Sequence, residues 1–145
     1  MIAVDTNILV HAHRRDAPFF DRARTALSGL AGHGLPWSIP WPAVAEFYCV
    51  TTNRKLFERP STPEQAVEQV DIWAESPGLT LLGEIGVAWM VLREALLAGK
   101  ITGPVVYDAR IAAICLSHGV RELWTADRDY GRFPALRVRN PLIPA

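Results

Sequence analysis

Four carboxylates stand where the surrounding sequence gives a charge little to pair with. Asp5 follows the apolar run Ile2, Ala3, Val4 and is trailed by Thr6 and Asn7, then by Ile8, Leu9 and Val10. Glu46 lies among Ala43, Val44, Ala45, Phe47, Tyr48, Cys49 and Val50, with no Lys or Arg within four residues. Asp108 shares a face, at 100° per residue, with Ile111, Ala112 and Cys115, so it points toward the core at the start of a helix. Asp127 comes two residues after Thr125, just past the run Glu122 to Thr125. An acid aimed inward must be paired, protonated or bound to a cation.

Each acid alone has a plainer account. Asp5 favours the positive end of the next helix, which Thr6 or Asn7 caps; Asp108 is a helix N-terminal acid worth roughly 0.3 to 1 kcal/mol; Glu46 reaches a distant Arg. Together, four acids at strand ends and on helices make an oxygen-rich site for Mg²⁺ or Mn²⁺ the better account. Zinc is disfavoured because His11, His13, His33 and His118 do not group with them, and His11 and His13, two apart on a helix, read as a polar surface pair. A carboxylate cluster holding such cations lowers the pKa of a bound water, clamps a phosphodiester and stabilises in-line displacement. The implied chemistry is phosphodiester hydrolysis. The sequence has no GxxxxGK[ST] loop for a nucleotide, and position 7 carries Asn rather than the second Asp of a phosphoaspartate enzyme.

The elements that must position these acids alternate. A buried strand over Ile2 to Val4 leads to a short helix from Ile8 to His13, then a helix opened by Asp16 and Pro18 and running to Gly32. Leu35 to Ile39 reads as a strand, Pro42 to Thr51 as a helix, and Asn53 to Pro60, with Arg54, Lys55 and Arg59, as a basic loop. A helix from Thr62 to Ser76, a strand over Leu79 to Leu82 and an amphipathic helix over Glu84 to Ala98, with Gly99 as its cap, follow. The Asp108 to His118 helix stops at Gly119, Glu122 to Thr125 is a strand, Ala126 to Tyr130 a loop, and Leu136 to Val138 at most a short strand. This pattern predicts one α/β domain over residues 1–145, a three-layer sandwich around a mainly parallel sheet. Asp5 and Asp127 then share one edge if their strands are neighbours, the edge where ligands of open α/β sheets bind.

The chain is long enough to bury roughly 68 to 70% of its unfolded surface. Cys49 and Cys115, each in an apolar helical stretch, read as buried free thiols rather than a disulfide or zinc site. Free thiols make a cytoplasmic protein the default expectation, and no run reaches the ~18 apolar residues of a membrane span. Net charge is zero, which argues against a simple polyanion-binding basic domain. With four acids set aside in a cluster the remainder carries +4, and 13 of the 15 basic residues are Arg, whose fork suits phosphate. The same Arg to Lys ratio also follows from genomic base composition.

Asp5-Thr6-Asn7 at the N-terminus, Glu46 in its Pro-Ala-Val-Ala-Glu-Phe helix, Asp108 in Tyr-Asp-Ala-Arg-Ile-Ala-Ala, and Thr125-Ala-Asp127-Arg-Asp129-Tyr closely resemble the motifs of PIN-domain ribonucleases, and more narrowly of VapC toxins from bacterial type II toxin–antitoxin pairs. The likeness extends to Phe133-Pro134 and to Arg139-Asn140-Pro141-Leu142. It implies a divalent-metal endoribonuclease with Asp5, Glu46, Asp108 and Asp127 in the acidic pocket, and Thr6, Asn7 and Thr125 orienting ligands, water or phosphate. It also implies a homodimer silenced by a cognate antitoxin whose C-terminal segment lies across the pocket. Tyr107 beside the third acid and the Arg54-Lys55 loop depart from the pattern and bear on RNA preference. A silent PIN-like binding domain and a DNA-acting nuclease are the alternatives; 145 residues leave no room for a DNA-clamping arch.

Two finer expectations follow. Asp127 rather than Asp129 is the fourth ligand, because it lies closer to the strand end; Asp129 supports the site or pairs with Arg128 or Arg132. Five tryptophans and a 50% hydrophobic composition exceed what the core needs, so an apolar groove with a basic lining should receive a peptide-like inhibitor.

Overall fold

The computed structural model describes residues 1–144. Five short strands form one parallel sheet: β1 (Ile2–Val4), β2 (Trp37–Pro40), β3 (Leu79–Leu82), β4 (Glu122–Trp124) and β5 (Arg137–Arg139), in the order β3-β2-β1-β4-β5. Val4 pairs with Trp124, so the chain leaves β1 and β4 side by side at the same edge. The strand order reverses between them, because successive crossovers carry the chain one way to β2 and β3 and the other way to β4 and β5. Such a switch point opens a crevice beyond the strand ends.

Side-chain alternation along the strands builds the three layers. Val4, Trp37, Ile39 and Trp124 face α1 (Thr6–His13), α2 (Phe20–Gly32), α3 (Trp41–Thr51) and α4 (Pro63–Ala74). Ala3, Leu82 and Leu123 face α5 (Ala88–Ala98), α6 (Val106–Ser117) and the 3-10 turn Arg128–Arg132. Two apolar cores result, one on each face of the sheet. In α6, Ala109, Ala112 and Ala113 are buried with Ile111, Ile114 and Cys115, so the helix lies close against the sheet on small side chains. It ends in a Schellman turn: Gly119, at φ 75°, lets the Val120 N–H reach the Cys115 carbonyl (2.9 Å) and aims the chain into β4.

The expected α/β sandwich is the observed one, with informative local differences. The first helix begins at Thr6 rather than Ile8, because the Asp5 carboxylate itself caps it by accepting the Thr6 N–H (2.8 Å). The second begins at Phe20; the segment before it is held as a turn, with Asp16 bound to the Arg14 guanidinium. The fifth begins at Ala88 rather than Glu84, since Glu84 is drawn out to pair with Arg110. Its C-cap is Gly99, yet the left-handed residue is Lys100 at φ 48°. The helically spaced stripe that the sequence offers, Val87, Met90, Val91, Glu94 and Leu97, lies mostly outward, with Val87, Met90 and Leu97 each more than half exposed, while Ala88, Leu92, Ala95 and Leu96 pack inward. Cys115 is buried, but Cys49 is exposed, because Phe47 and Ala43 rather than Cys49 turn toward the core. His13 is no surface group: its ring stands between Gln69 Oε1 (3.0 Å) and Ser61 Oγ (2.9 Å), edge-on to Phe47.

Candidate functional site

The crevice at the switch point is a cleft of about 230 Å³ lined by Asp5, Thr6, Asn7, Glu46, Asp108 and Asp127, with Val10, His11 and Val50 completing its wall. Four segments distant in sequence supply the acids. Asp5 leaves the end of β1, Glu46 projects from the middle of α3, Asp108 stands in the first turn of α6, and Asp127 follows β4.

Asp5 is the fixed point. Its backbone N–H continues the sheet to the Trp124 carbonyl (3.0 Å), and its side chain is buried. One oxygen accepts the Thr6 N–H; the other accepts the Thr125 hydroxyl (2.8 Å) and the Asn7 amide (3.3 Å). Thr125 Oγ1 in turn accepts from Asn7 Nδ2 (3.0 Å) and from the Asp127 N–H (3.0 Å), so its one donor and two lone pairs are all engaged. The Asn7 carbonyl oxygen accepts the Ala126 N–H (3.0 Å). Asn7 and Thr125 therefore lace the first turn of α1 to the chain leaving β4, and Asp5 lies inside the lacing.

Burial pushes the Asp5 carboxyl up to about 6, its hydrogen bonds from Thr125 and Thr6 holding it partly down while the charges of Glu46 and Asp108 push it further up. Burial also raises Asp108, with the nearby Asp127, Asp129 and Glu46 carboxylates adding to the rise. Glu46 is exposed at the mouth and makes no ion pair; its Oε2 accepts the Thr6 hydroxyl (3.3 Å). Among the described residues the ion pairs are Arg14 with Asp16 and Arg110 with Glu84, and none of the four lines the cleft.

The donor set suits a hard divalent cation. Asp108, Asp127 and Asp129 each offer a carboxylate oxygen within 4.8 Å of the others, all ligands are oxygens, and no Cys or His joins that group. Carboxylates this close repel one another, and a cation held between them would offset that repulsion.

Every acid, amide and hydroxyl singled out in the sequence comes to this one region. Asp129 does too: it stands with Asp108 and Asp127, its N–H donating to Asp127 Oδ1 (2.8 Å), and it pairs with neither Arg128 nor Arg132. Sequence reasoning missed His11, which lines the cleft half-buried, its ring against Phe19 and its basicity lowered by burial. The signal was present, because His11 falls one helical turn after Asn7. It also missed Tyr130, fully buried beneath the acids in the 3-10 turn.

These features define a PIN domain. Residues 2–136 match the PIN domain family, and the chain belongs to that family. Within it the likeness is to VapC ribonucleases. The chain is 36% identical over 138 residues to Ribonuclease VapC48 of Mycobacterium tuberculosis, covering 94% of each chain, and 35% identical over 142 residues to Ribonuclease VapC43 of the same organism, covering 98% and 96%. Its fold matches VapC chains in solved structures: VapBC2 from Rickettsia felis bound to a DNA fragment from its promoter gives a TM-score of 0.70 at 23% identity, covering 97% of this chain and 98% of that one.

Proposed function

We propose that this chain is a divalent-metal-dependent endoribonuclease, the toxin of a toxin–antitoxin pair. The observation that carries this reading is the gathering of carboxylates from four separate segments into one cleft at the switch point, with Asp5 buried and in need of a positive partner. Relatives named ribonucleases over nearly the whole chain supply the substrate class.

The chain's residues divide the work. Asp5, Asp108 and Asp127 hold Mg²⁺ or Mn²⁺, with Asp129 beside them. Bound there, the cation supplies Lewis acidity toward a phosphodiester and toward water. Thr125 and Asn7 keep the Asp5 carboxylate in one orientation. Glu46 has one oxygen engaged by Thr6, which leaves Oε1 to accept a proton from the attacking water at the mouth of the cleft.

Two surfaces support the partners. A groove of about 410 Å³ between α1, α2 and α4 is walled by Phe20, Leu27, Ile72 and Trp73, with Arg15 and Arg24 on its rim. It suits an amphipathic antitoxin segment carrying acids. The outward stripe Val87, Met90 and Leu97 of α5 supports a homodimer, as does the exposed Trp41. No described helix is long and apolar enough to cross a membrane.

The test is cleavage of a defined RNA by the purified chain. Cleavage that requires Mg²⁺ or Mn²⁺, stops with EDTA and is lost in Asp5→Asn is the expected result. Cleavage undiminished by EDTA overturns metal dependence, and metal binding without cleavage of any RNA or DNA makes the chain a silent binding domain. Sedimentation at tens of micromolar checks the dimer, which a monomer overturns.

A further inference from the structure

We propose that Tyr130 is a positioning residue of the acidic cleft, its phenolic O–H donating to the Asp108 carboxylate when that carboxylate turns toward a bound cation. The inference rests on the metal site proposed above and adds a residue to it.

The Tyr130 hydroxyl is the one buried side-chain polar atom among the described residues that completes no hydrogen bond. The side chain is 1% exposed, its ring held against Phe133 and within the apolar core that α6 makes with β4. Buried hydroxyls are almost always partnered, and one left over marks a contact not yet made. The phenol faces the charges of Asp5, Asp108 and Asp127 and the buried Cys115 thiol, which with the burial itself raise its pKa far above the ordinary tyrosine range. A phenol carries its proton at neutral pH, so what it offers is a donor.

Its acceptor is the half-buried acid of the group that is least engaged. Both Asp5 oxygens are engaged, one by the Thr6 N–H and the other by Thr125 and Asn7. Asp127 already accepts the Asp129 N–H. Asp108 is the half-buried acid of this group with no hydrogen bond completed within the described residues, and the nearby Tyr130 hydroxyl already opposes the rise in its pKa. Asp108 sits in the first turn of a helix packed on small residues, so its backbone is fixed while its carboxylate is free to turn. A donor beneath one oxygen leaves the other to meet the cation. Donors that orient ligating carboxylates in this way typically change metal affinity by about 10 to 100-fold.

Tyr130→Phe keeps the ring and its packing and removes only the donor. The expected result is a three-way split: Mn²⁺ affinity, read from the free-ion electron paramagnetic resonance signal, weaker by about 10 to 100-fold; a metal-free melting temperature unchanged or higher, because an unpartnered buried hydroxyl is gone; and a smaller upward shift of that temperature on adding Mn²⁺. A purely structural tyrosine gives the reverse, with metal-free stability lost and affinity kept, and that overturns the proposal. A variant that fails to fold overturns it too. Equal Mn²⁺ affinity in the wild type and the variant overturns it while leaving the metal site standing. A wild-type chain that binds no Mn²⁺ sinks the site itself and the proposal with it.

Discussion

Asp5 and the Asp127–Asp129 turn leave neighbouring strands into the same cleft region and are held in opposite ways. Asp5 sits between a strand and the helix it caps, buried, with three side-chain hydrogen bonds from three residues. Asp127 is half-buried and Asp129 exposed, in a 3-10 turn whose internal bonds run between neighbouring residues. One side is thus preorganised by the fold at a cost in desolvation, and the other is more open to solvent and held by local bonds. A site that must accept and release a charged ligand gains from both: a rigid post to fix the register and a compliant side to close on it.

The contrast is broken most severely by removing the post. Asp5→Asn should cut metal-dependent RNA cleavage by about 1,000-fold or more, the size expected when several kcal/mol of transition-state charge stabilisation are lost. The same substitution should change the pH dependence of stability. In the metal-free protein the Asp5 pKa is raised from 3.8 to about 6, so the folded state holds a proton that the unfolded state has released. Stability from this group therefore falls as pH rises from about 4 through about 6, and above that the fold carries an ionised buried acid at a cost on the order of 3 kcal/mol. Wild type minus Asp5→Asn, measured by urea unfolding without metal, should show that decline, and saturating Mn²⁺ should offset it in the wild type alone. A flat difference between pH 4 and 7 would mean that Asp5 is not desolvated as its burial indicates.

Thr125→Val weakens the lacing without touching a charge. Asp5 loses its hydroxyl donor, and the Asp127 N–H loses its acceptor. Stability should fall by about 1 to 3 kcal/mol. The Thr125 hydrogen bond holds the Asp5 carboxyl down, so its removal raises that pKa further, and the acid limb of the cleavage profile should move to higher pH. Cleavage near neutrality should drop by about 10 to 100-fold. Thr125→Ser, which keeps the hydroxyl, should recover most of it; an unmoved acid limb in Thr125→Val would detach Thr125 from Asp5.

Much of this arrangement was legible in the sequence where local rules and global demands agree. A short apolar run ending in Asp-Thr-Asn reads as a buried strand delivering polar groups, and alternation with helices argues for the parallel sheet. Parallel pairing then brings the ends of β1 and β4 together whatever the loops do. The misses come where a side chain's partner lies far away in sequence. His13 looked like surface until Ser61 and Gln69 closed on it. The helical spacing of α5 is legible but its start and its inner face are not, because both faces carry apolar residues and spacing alone does not say which one α6 covers. Asp5 was seen as a helix-end acid or a ligand, and it is placed to be both, since the cap that positions it is also what turns its second oxygen toward Thr125.

The smallest contrast lies within the compliant wall, between two aspartates of one turn. Asp127 lines the cleft, and its Oδ1 accepts the Asp129 N–H, which folds the turn back and fixes the Asp127 rotamer; its own N–H is tied to Thr125. Asp129 makes no comparable side-chain bond and is exposed, although its carboxylate comes as near to Asp108 as a shared ligand requires. A ligand must be held within ~2.0 to 2.6 Å of its ion, which favours the residue anchored to the strand end. Asp127→Asn should therefore damage Mg²⁺-dependent cleavage more than Asp129→Asn, by a margin of about tenfold, which is the lower end of what an outer carboxylate contributes. Circular dichroism should find both variants folded. Asp127→Asn also keeps an oxygen for the Asp129 N–H, so the turn survives and the comparison isolates charge. If Asp129→Asn abolishes cleavage while Asp127→Asn retains most of it, the exposed acid is the ligand and the anchored one its support, and rigidity is then not what selects ligands on this wall.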